Sequence, residues 1–263
     1  MSDAIATTTI TSIQKEQFQR DGYFLLEGAL SSAQVESLRA EAERFKEQLD
    51  EQMERQSVTK IGITHKDSRY FISNRFQESQ KLRNFLFSQL MADICRATLG
   101  DNSFLFNEQF VLKAAEVGMA FGWHQDSGYI GYPHRPYLSC WCALDDMTIE
   151  NGTVSLLSYD KAGTRDWIPH EREAETSDMI GYRGQESGLA AIVPAGSIAV
   201  FSSTVFHRSG TNTTDKMRRV YLAQYTAEPI LKPDGSGLWG NAVPFLQNGE
   251  KIYCEHIDVE CAD

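Results

Sequence analysis

The sequence predicts a mainly β protein, a double-stranded β-helix (the jelly roll or cupin-like barrel) with flanking helices and a helical N-terminal third. Two observations predict it. After residue 103 the chain becomes eight short segments rich in aromatic and β-branched residues, separated by Gly, Pro, Asn and Asp, which is the texture of strands and tight turns. Before residue 100 the apolar residues recur instead at three- and four-residue spacing, the period of a helix face. Short strands of this kind suggest two antiparallel sheets closing as a jelly roll. No internal repeat is visible.

Taken in order, residues 1–12 are small, polar and Thr-rich, and are expected to be flexible. Residues 13–22 read as a short helix stopped by Asp21-Gly22, and residues 23–26 as a buried strand. Ser31 with Gln34 fits a capping box that opens a long helix. Its stripe of Val35, Leu38, Ala42, Phe45, Leu49 and Met53 is that of a surface helix packed on a sheet. Residues 56–80 hold an aromatic and basic mixture without a clear period, and residues 84–99 read as a second helix closed by Gly100. The strand-like segments are 104–113, 121–126, 137–144, 153–157, 190–194, 197–201, 205–209 and 218–225. The polar segment 159–188 is long enough to be a functional lid. Residues 229–263, with Trp239, Pro244 and Phe245 among several glycines, read as an irregular arm laid over the barrel.

At 263 residues, 41% hydrophobic and 23% charged, the chain suits one domain, 1–263, with a real core. Its apolar runs are far short of a membrane span, and it opens on no basic stretch followed by an apolar one. The expected location is therefore cytoplasmic. Twenty-five Lys and Arg against 36 Asp and Glu leave a net charge of −11, which argues against nucleic acid or an anionic membrane as partner. A small-molecule substrate and a monomer or homodimer are expected instead. Cys95, Cys140, Cys142, Cys254 and Cys261 are odd in number and too few for a disulfide scaffold, Cys140 and Cys142 lack a second CxxC-type pair for a zinc knot, and all five are read as reduced thiols.

The chemistry centres on Phe121-Gly122-Trp123-His124-Gln125-Asp126. On a strand, residues two apart face the same way, so His124 and Asp126 are expected side by side. His207, at the end of another apolar run, is the best third ligand. Two imidazoles and a carboxylate on one face of a metal, with open positions opposite, is the arrangement of non-haem Fe(II) oxygenases. His65, His134, His170 and His256 are expected on loops or the surface, with His134 a candidate for facing substrate.

Beyond His207 the sequence runs through Ser209, Gly210, Asn212 and Arg218, and upstream lie Phe18, Asp21-Gly22-Tyr23, Trp141-Cys142-Ala143-Leu144 and Glu150-Asn151-Gly152. In these spaced elements, over roughly residues 15 to 226, the chain resembles the phytanoyl-CoA dioxygenase family of iron- and 2-oxoglutarate-dependent oxygenases. The resemblance implies Fe(II) on His124, Asp126 and His207, with 2-oxoglutarate and O2 as cosubstrates. The far carboxylate of 2-oxoglutarate needs a permanent forked cation, which Arg218 supplies better than a lysine could. Ser209 can donate a hydroxyl hydrogen bond to the same carboxylate. The resemblance places Trp141 in this pocket, and Gln109 and Lys113, on one strand face, are further contact candidates. Arg219 points the other way and is read as structural. Related halogenases replace the carboxylate ligand by Ala or Gly, so Asp126 implies oxygenation.

Where the family often has Pro-Gly-Ser-His, this chain has Ser158-Tyr159-Asp160-Lys161, on the expected substrate side. Residues 69–76, 129–135, 159–188 and 239–245 are expected to roof the site, with Arg69, Phe71, Arg75, Tyr129, His134 and Trp239 as substrate candidates. That mixture suits a small, largely apolar metabolite with a polar or anionic handle, such as a natural-product intermediate, which would be hydroxylated, desaturated or cyclised. An acyl-CoA hydroxylase is the alternative within the family, and the net charge weighs against so anionic a carrier. A zinc or manganese isomerase or hydrolase of cupin type would have no 2-oxo acid for Arg218 and Ser209 to anchor. A non-catalytic barrel would be expected to lose a ligand, and none is missing.

Overall fold

The structure, a computed structural model, describes residues 9–253; residues 1–8 and the positions Cys254, His256 and Cys261 lie outside the described part. Ile10 is buried and Thr11 caps α1 (Ser12–Asp21) through a capping box with Gln14. The helix stops where Gly22 adopts φ 85°, with a backbone bond back to Phe18, and the chain turns directly into β1 (Tyr23–Leu26). The Ser31–Gln34 capping box then opens α2 (Ser32–Arg55), whose buried residues include the expected stripe.

Residues 56–80 hold three short strands, β2 (Lys60–Ile61), β3 (Thr64–His65) and β4 (Arg69–Ser73), and a 3-10 turn at Phe76–Glu78. The single helix expected over 84–99 is two, α3 (Gln80–Leu86) and α4 (Gln89–Thr98). Ser88 breaks it: its backbone is extended and its side chain accepts the Met91 amide, which caps a new helix.

Next come β5 (Ser103–Lys113), β6 (Phe121–His124), β7 (Leu138–Ala143), β8 (Val154–Leu157) and the short α5 (Tyr159–Ala162). β9 (Glu171–Arg172), β10 (Met179–Ile180), β11 (Leu189–Ala190), β12 (Ile198–Ser202), β13 (Phe206–Ser209) and β14 (Arg218–Thr226) follow. Seven of the eight segments expected as strand form the body of one of these; the eighth, 190–194, is strand only at Ala190, in β11. The terminal arm is more regular than expected. Its β15 (Val243–Gln247) pairs with the start of β5 and hairpins into β16 (Glu250–Lys251).

A large antiparallel sheet runs β1-β12-β7-β14-β5-β4-β3-β2, and a smaller one runs β11-β8-β13-β6. The N-terminal third is thus not purely helical, since β1 and β4 extend the large sheet on either side. Alternation along β7 sorts two cores. Leu138, Cys140 and Cys142 pack under α2, α3 and α4, whereas Trp141 and Ala143 face the small sheet. Cys95, Cys140 and Cys142 are buried free thiols. The inner face between the sheets carries the polar side chains described next.

Candidate metal centre

His124 and His207 are direct cross-strand partners on β6 and β13, with ring centroids 4.0 Å apart. The backbone sets their tautomers. His124 Nδ1 lies 2.8 Å from the Gly122 carbonyl and His207 Nδ1 lies 3.1 Å from that of Val205. A carbonyl only accepts, so each Nδ1 carries the proton and each Nε2 offers a lone pair. Burial, then the neighbouring His207, push the His124 pKa down and favour its neutral, ligating form.

Asp126 reaches the same point by a route that strand alternation does not describe. β6 ends at His124, and Asp126 begins the 3-10 turn Asp126–Tyr129. Its Oδ1 stands 3.5 Å from His207 Nε2 and 4.0 Å from His124 Nε2. The three donor atoms lie within 4.8 Å of one another. One carboxylate oxygen and two imidazole nitrogens converging in a buried space fit a divalent iron held on one face. Gln125, between the ligands, is buried and binds the excursion 159–188, donating to the Asp166 carbonyl and accepting from the Ile168 amide, and it also donates to the Thr204 carbonyl ahead of β13. His170 accepts the Gln125 backbone amide at 2.8 Å, so this loop histidine latches the excursion to the residue between the ligands.

A second polar group lies beside the ligands. Arg69, Lys113 and Arg218 are in register across β4, β5 and β14, and all are buried. Arg69 is neutralised by a two-pronged pair with Asp178, at 2.7 and 2.9 Å. Lys113 donates to Ser209 Oγ at 2.8 Å and to the Gly210 carbonyl. Arg218 donates to the Gly152 carbonyl at 3.2 Å, while its Nε has no partner. Among the described residues no carboxylate pairs with Lys113 or Arg218. Burial and the adjacent arginines push the Lys113 amine down to about 5, and burial pushes Arg218 down to about 10. Arg219 faces the other way, onto Asp145 and Glu43, in the structural role expected of it.

Both groups open into one cavity of about 270 Å³. His124, Asp126, His207, Ser209, Arg218, Lys113, Gln109 and Trp141 line it, as do Arg69, Phe71, Tyr129 and Trp239. Two expected substrate contacts are elsewhere. Arg75 pairs with Glu78 and lies over the Phe45 ring, on the helix side of the sheet. His134 bonds Ser127 and the Tyr132 carbonyl and is not a lining residue. No described residue of 159–188 lines the cavity; the segment is tied to the large sheet through Asp178, which pairs with Arg69 on β4, and to the end of β6 in the small sheet through His170. Asn107, Ser139 and Gln224 were not singled out from the sequence, yet Ser139 and Gln224 hold Asp126, and Asn107 donates to Gln224. Gln224 stands six residues after Arg218, so strand alternation places both on one face, a signal the sequence did contain.

The phytanoyl-CoA dioxygenase (PhyH) family matches residues 18–220. An ectoine dioxygenase of Stutzerimonas stutzeri is 24% identical over 237 residues, covering 77% of this chain and 72% of its own. Among solved structures, a 2-oxoglutarate complex of EvdO2 from Micromonospora carbonacea superposes with TM-score 0.68 at 21% identity, covering 89% of this chain and 97% of that one. The carbocyclase SnoK from nogalamycin biosynthesis gives TM-score 0.68 at 17% identity, covering 94% and 100%. The match spans most of the described barrel and includes all three ligand positions. The chain belongs to the phytanoyl-CoA dioxygenase family of iron- and 2-oxoglutarate-dependent oxygenases.

Proposed function

We propose that the protein oxidises an unactivated C–H bond of a small, largely apolar metabolite, consuming O2 and converting 2-oxoglutarate to succinate and CO2. One observation carries the cosubstrate assignment: Lys113 and Arg218 are buried, with no carboxylate among the described residues pairing with either, in the same cavity as His124, Asp126 and His207. A buried cation is ordinarily paired, so Arg218 calls for an anion, and a dicarboxylate reaching from the metal supplies it. Arg218 gives forked donors to its far carboxylate, with Ser209 and Lys113 adding single hydrogen bonds. Bound iron would supply the activation of O2, while the chain's own residues orient both organic reactants. Trp141 and Val154 form an apolar wall beside Arg218, which keeps water from that contact.

The substrate side supports a small apolar molecule. Phe71, Phe121, Tyr129, Tyr137 and Trp239 contribute aromatic surface, and the volume is at the low end for organic ligands. Arg69 is spent on Asp178, which removes one cation that a highly anionic carrier could have used. That favours a free metabolite over an acyl-CoA. The decisive measurement is succinate formation across free acids, terpenoid and polyketide scaffolds and acyl-CoAs. Stimulation by acyl-CoAs alone would reverse the substrate assignment. Undiminished turnover in His207→Ala would remove the metal assignment.

A further inference from the structure

Asp126 is held by a second row of side chains, at a different level of the barrel from the cations. Its Oδ2 accepts from Ser139 Oγ at 2.6 Å and from Gln224 Nε2 at 2.9 Å, and Gln224 Nε2 also donates to Ser139 Oγ at 3.0 Å. Gln224 Oε1 accepts from Asn107 Nδ2 at 2.9 Å. Asn107, Gln224 and Ser139 are cross-strand partners on β5, β14 and β7. The β14–β5 register shifts just after Gln224, and such irregularities re-aim side chains beside sites.

The donors and acceptors permit one arrangement. An ionised carboxylate only accepts, so the Ser139 hydroxyl and the Gln224 amide N–H must both point at Oδ2. Gln224 Oε1 is then turned toward Asn107, which must answer with its own N–H. With Oδ2 occupied in this way, Oδ1 is the oxygen left beside His124 and His207 Nε2. Asn107 and Gln224 also line the cavity, so the row joins the metal ligand to the substrate space.

We propose that Gln224 is a positioning residue that presents Asp126 to the metal through a single oxygen, and that Asn107, which does not touch Asp126, sets the orientation of the Gln224 amide. This rests on the metal reading of His124, Asp126 and His207. It also leaves Asn107 Oδ1, to which no described residue donates, as an acceptor suited to a hydroxyl or N–H of the substrate.

The test is cobalt(II) binding by the full chain, followed anaerobically by calorimetry and by the visible spectrum of the bound ion. If the parent binds cobalt no better than His207→Ala, the metal reading itself has failed. Given tight parent binding, Gln224→Leu is expected to weaken it by about 10–100-fold, the usual effect of removing an outer partner of a ligand, and to alter the spectrum. Asn107→Asp is expected to do the same, because an acceptor-only side chain draws the Gln224 amide N–H away from Asp126. Asn107→Leu removes a partner without reversing the amide, and should weaken binding less. Thermal melts identify any variant that has lost its fold, and the two Asn107 variants decide the matter if Gln224→Leu has. Unchanged affinity and spectrum in Gln224→Leu and Asn107→Asp would overturn the proposal. Equal losses in Asn107→Asp and Asn107→Leu would overturn the orienting role of Asn107.

Discussion

Lys113 and Arg218 stand opposite one another on β5 and β14, both buried, with no carboxylate among the described residues pairing with either. Two adjacent cations repel and resist burial, so the lysine, which can shed its proton, is the one that yields. That relationship separates what each residue does when a dicarboxylate arrives.

Arg218 keeps its charge and carries the anchoring. Arg218→Ala is expected to raise the 2-oxoglutarate requirement by about 100-fold, the loss of roughly 3 kcal/mol of charge-assisted bonding. Arg218→Lys should recover little of it, because a point charge cannot reproduce the fork. The apparent KM for 2-oxoglutarate in succinate formation checks both.

Lys113 should take up a proton as 2-oxoglutarate binds. Its amine is pushed down to about 5 in the ligand-free protein, so it is neutral at neutral pH, and an incoming carboxylate favours the charged form. Calorimetry of the cobalt-loaded protein in buffers of different ionisation enthalpy should show uptake approaching one proton at about pH 7.5. The same titration of Lys113→Met should show none. Equal uptake in both would place the proton elsewhere.

Asp178→Ala should unfold readily. It strands Arg69, which is fully buried, and breaking a buried pair from one side costs roughly 3–5 kcal/mol. Chemical denaturation measures this directly. Asp178→Asn, which keeps one acceptor, should lose less.

The metal-free protein should lose stability as pH falls below 6.5, the ordinary histidine value. Burial holds His170 below that value, and its neutral ring accepts the Gln125 amide. The unfolded chain therefore binds the proton first. The native state is at full stability above 6.5 and weakens as pH drops toward the folded-state pKa. His170→Gln, an acceptor that does not titrate, should lessen this dependence in denaturation midpoints measured at several pH values, leaving the share that buried His124 contributes in the same direction.

Much of this protein was legible locally. The α2 stripe, the Ser31–Gln34 capping box and seven of the eight strand segments follow from residue spacing, because helix and strand periods are properties of the chain itself; the Thr11–Gln14 box was not singled out, and 190–194 is strand only at Ala190. His124, Asp126, His207, Ser209 and Arg218 were singled out from their order and spacing along the chain, and the structure brings all five to one cavity even though the backbone between them bends. What the sequence could not decide was side-chain company across strands. Register alone puts Arg69, Lys113 and Arg218 in one row and Asn107, Gln224 and Ser139 in another. Asp126 reaches the ligand cluster from a 3-10 turn rather than a strand, Arg75 turns to the helices, and Asp178 comes from 109 residues away to neutralise Arg69. Each of these depends on which donor, acceptor or charge lies opposite once the sheets close, and a buried polar group takes the partner that folding brings to it.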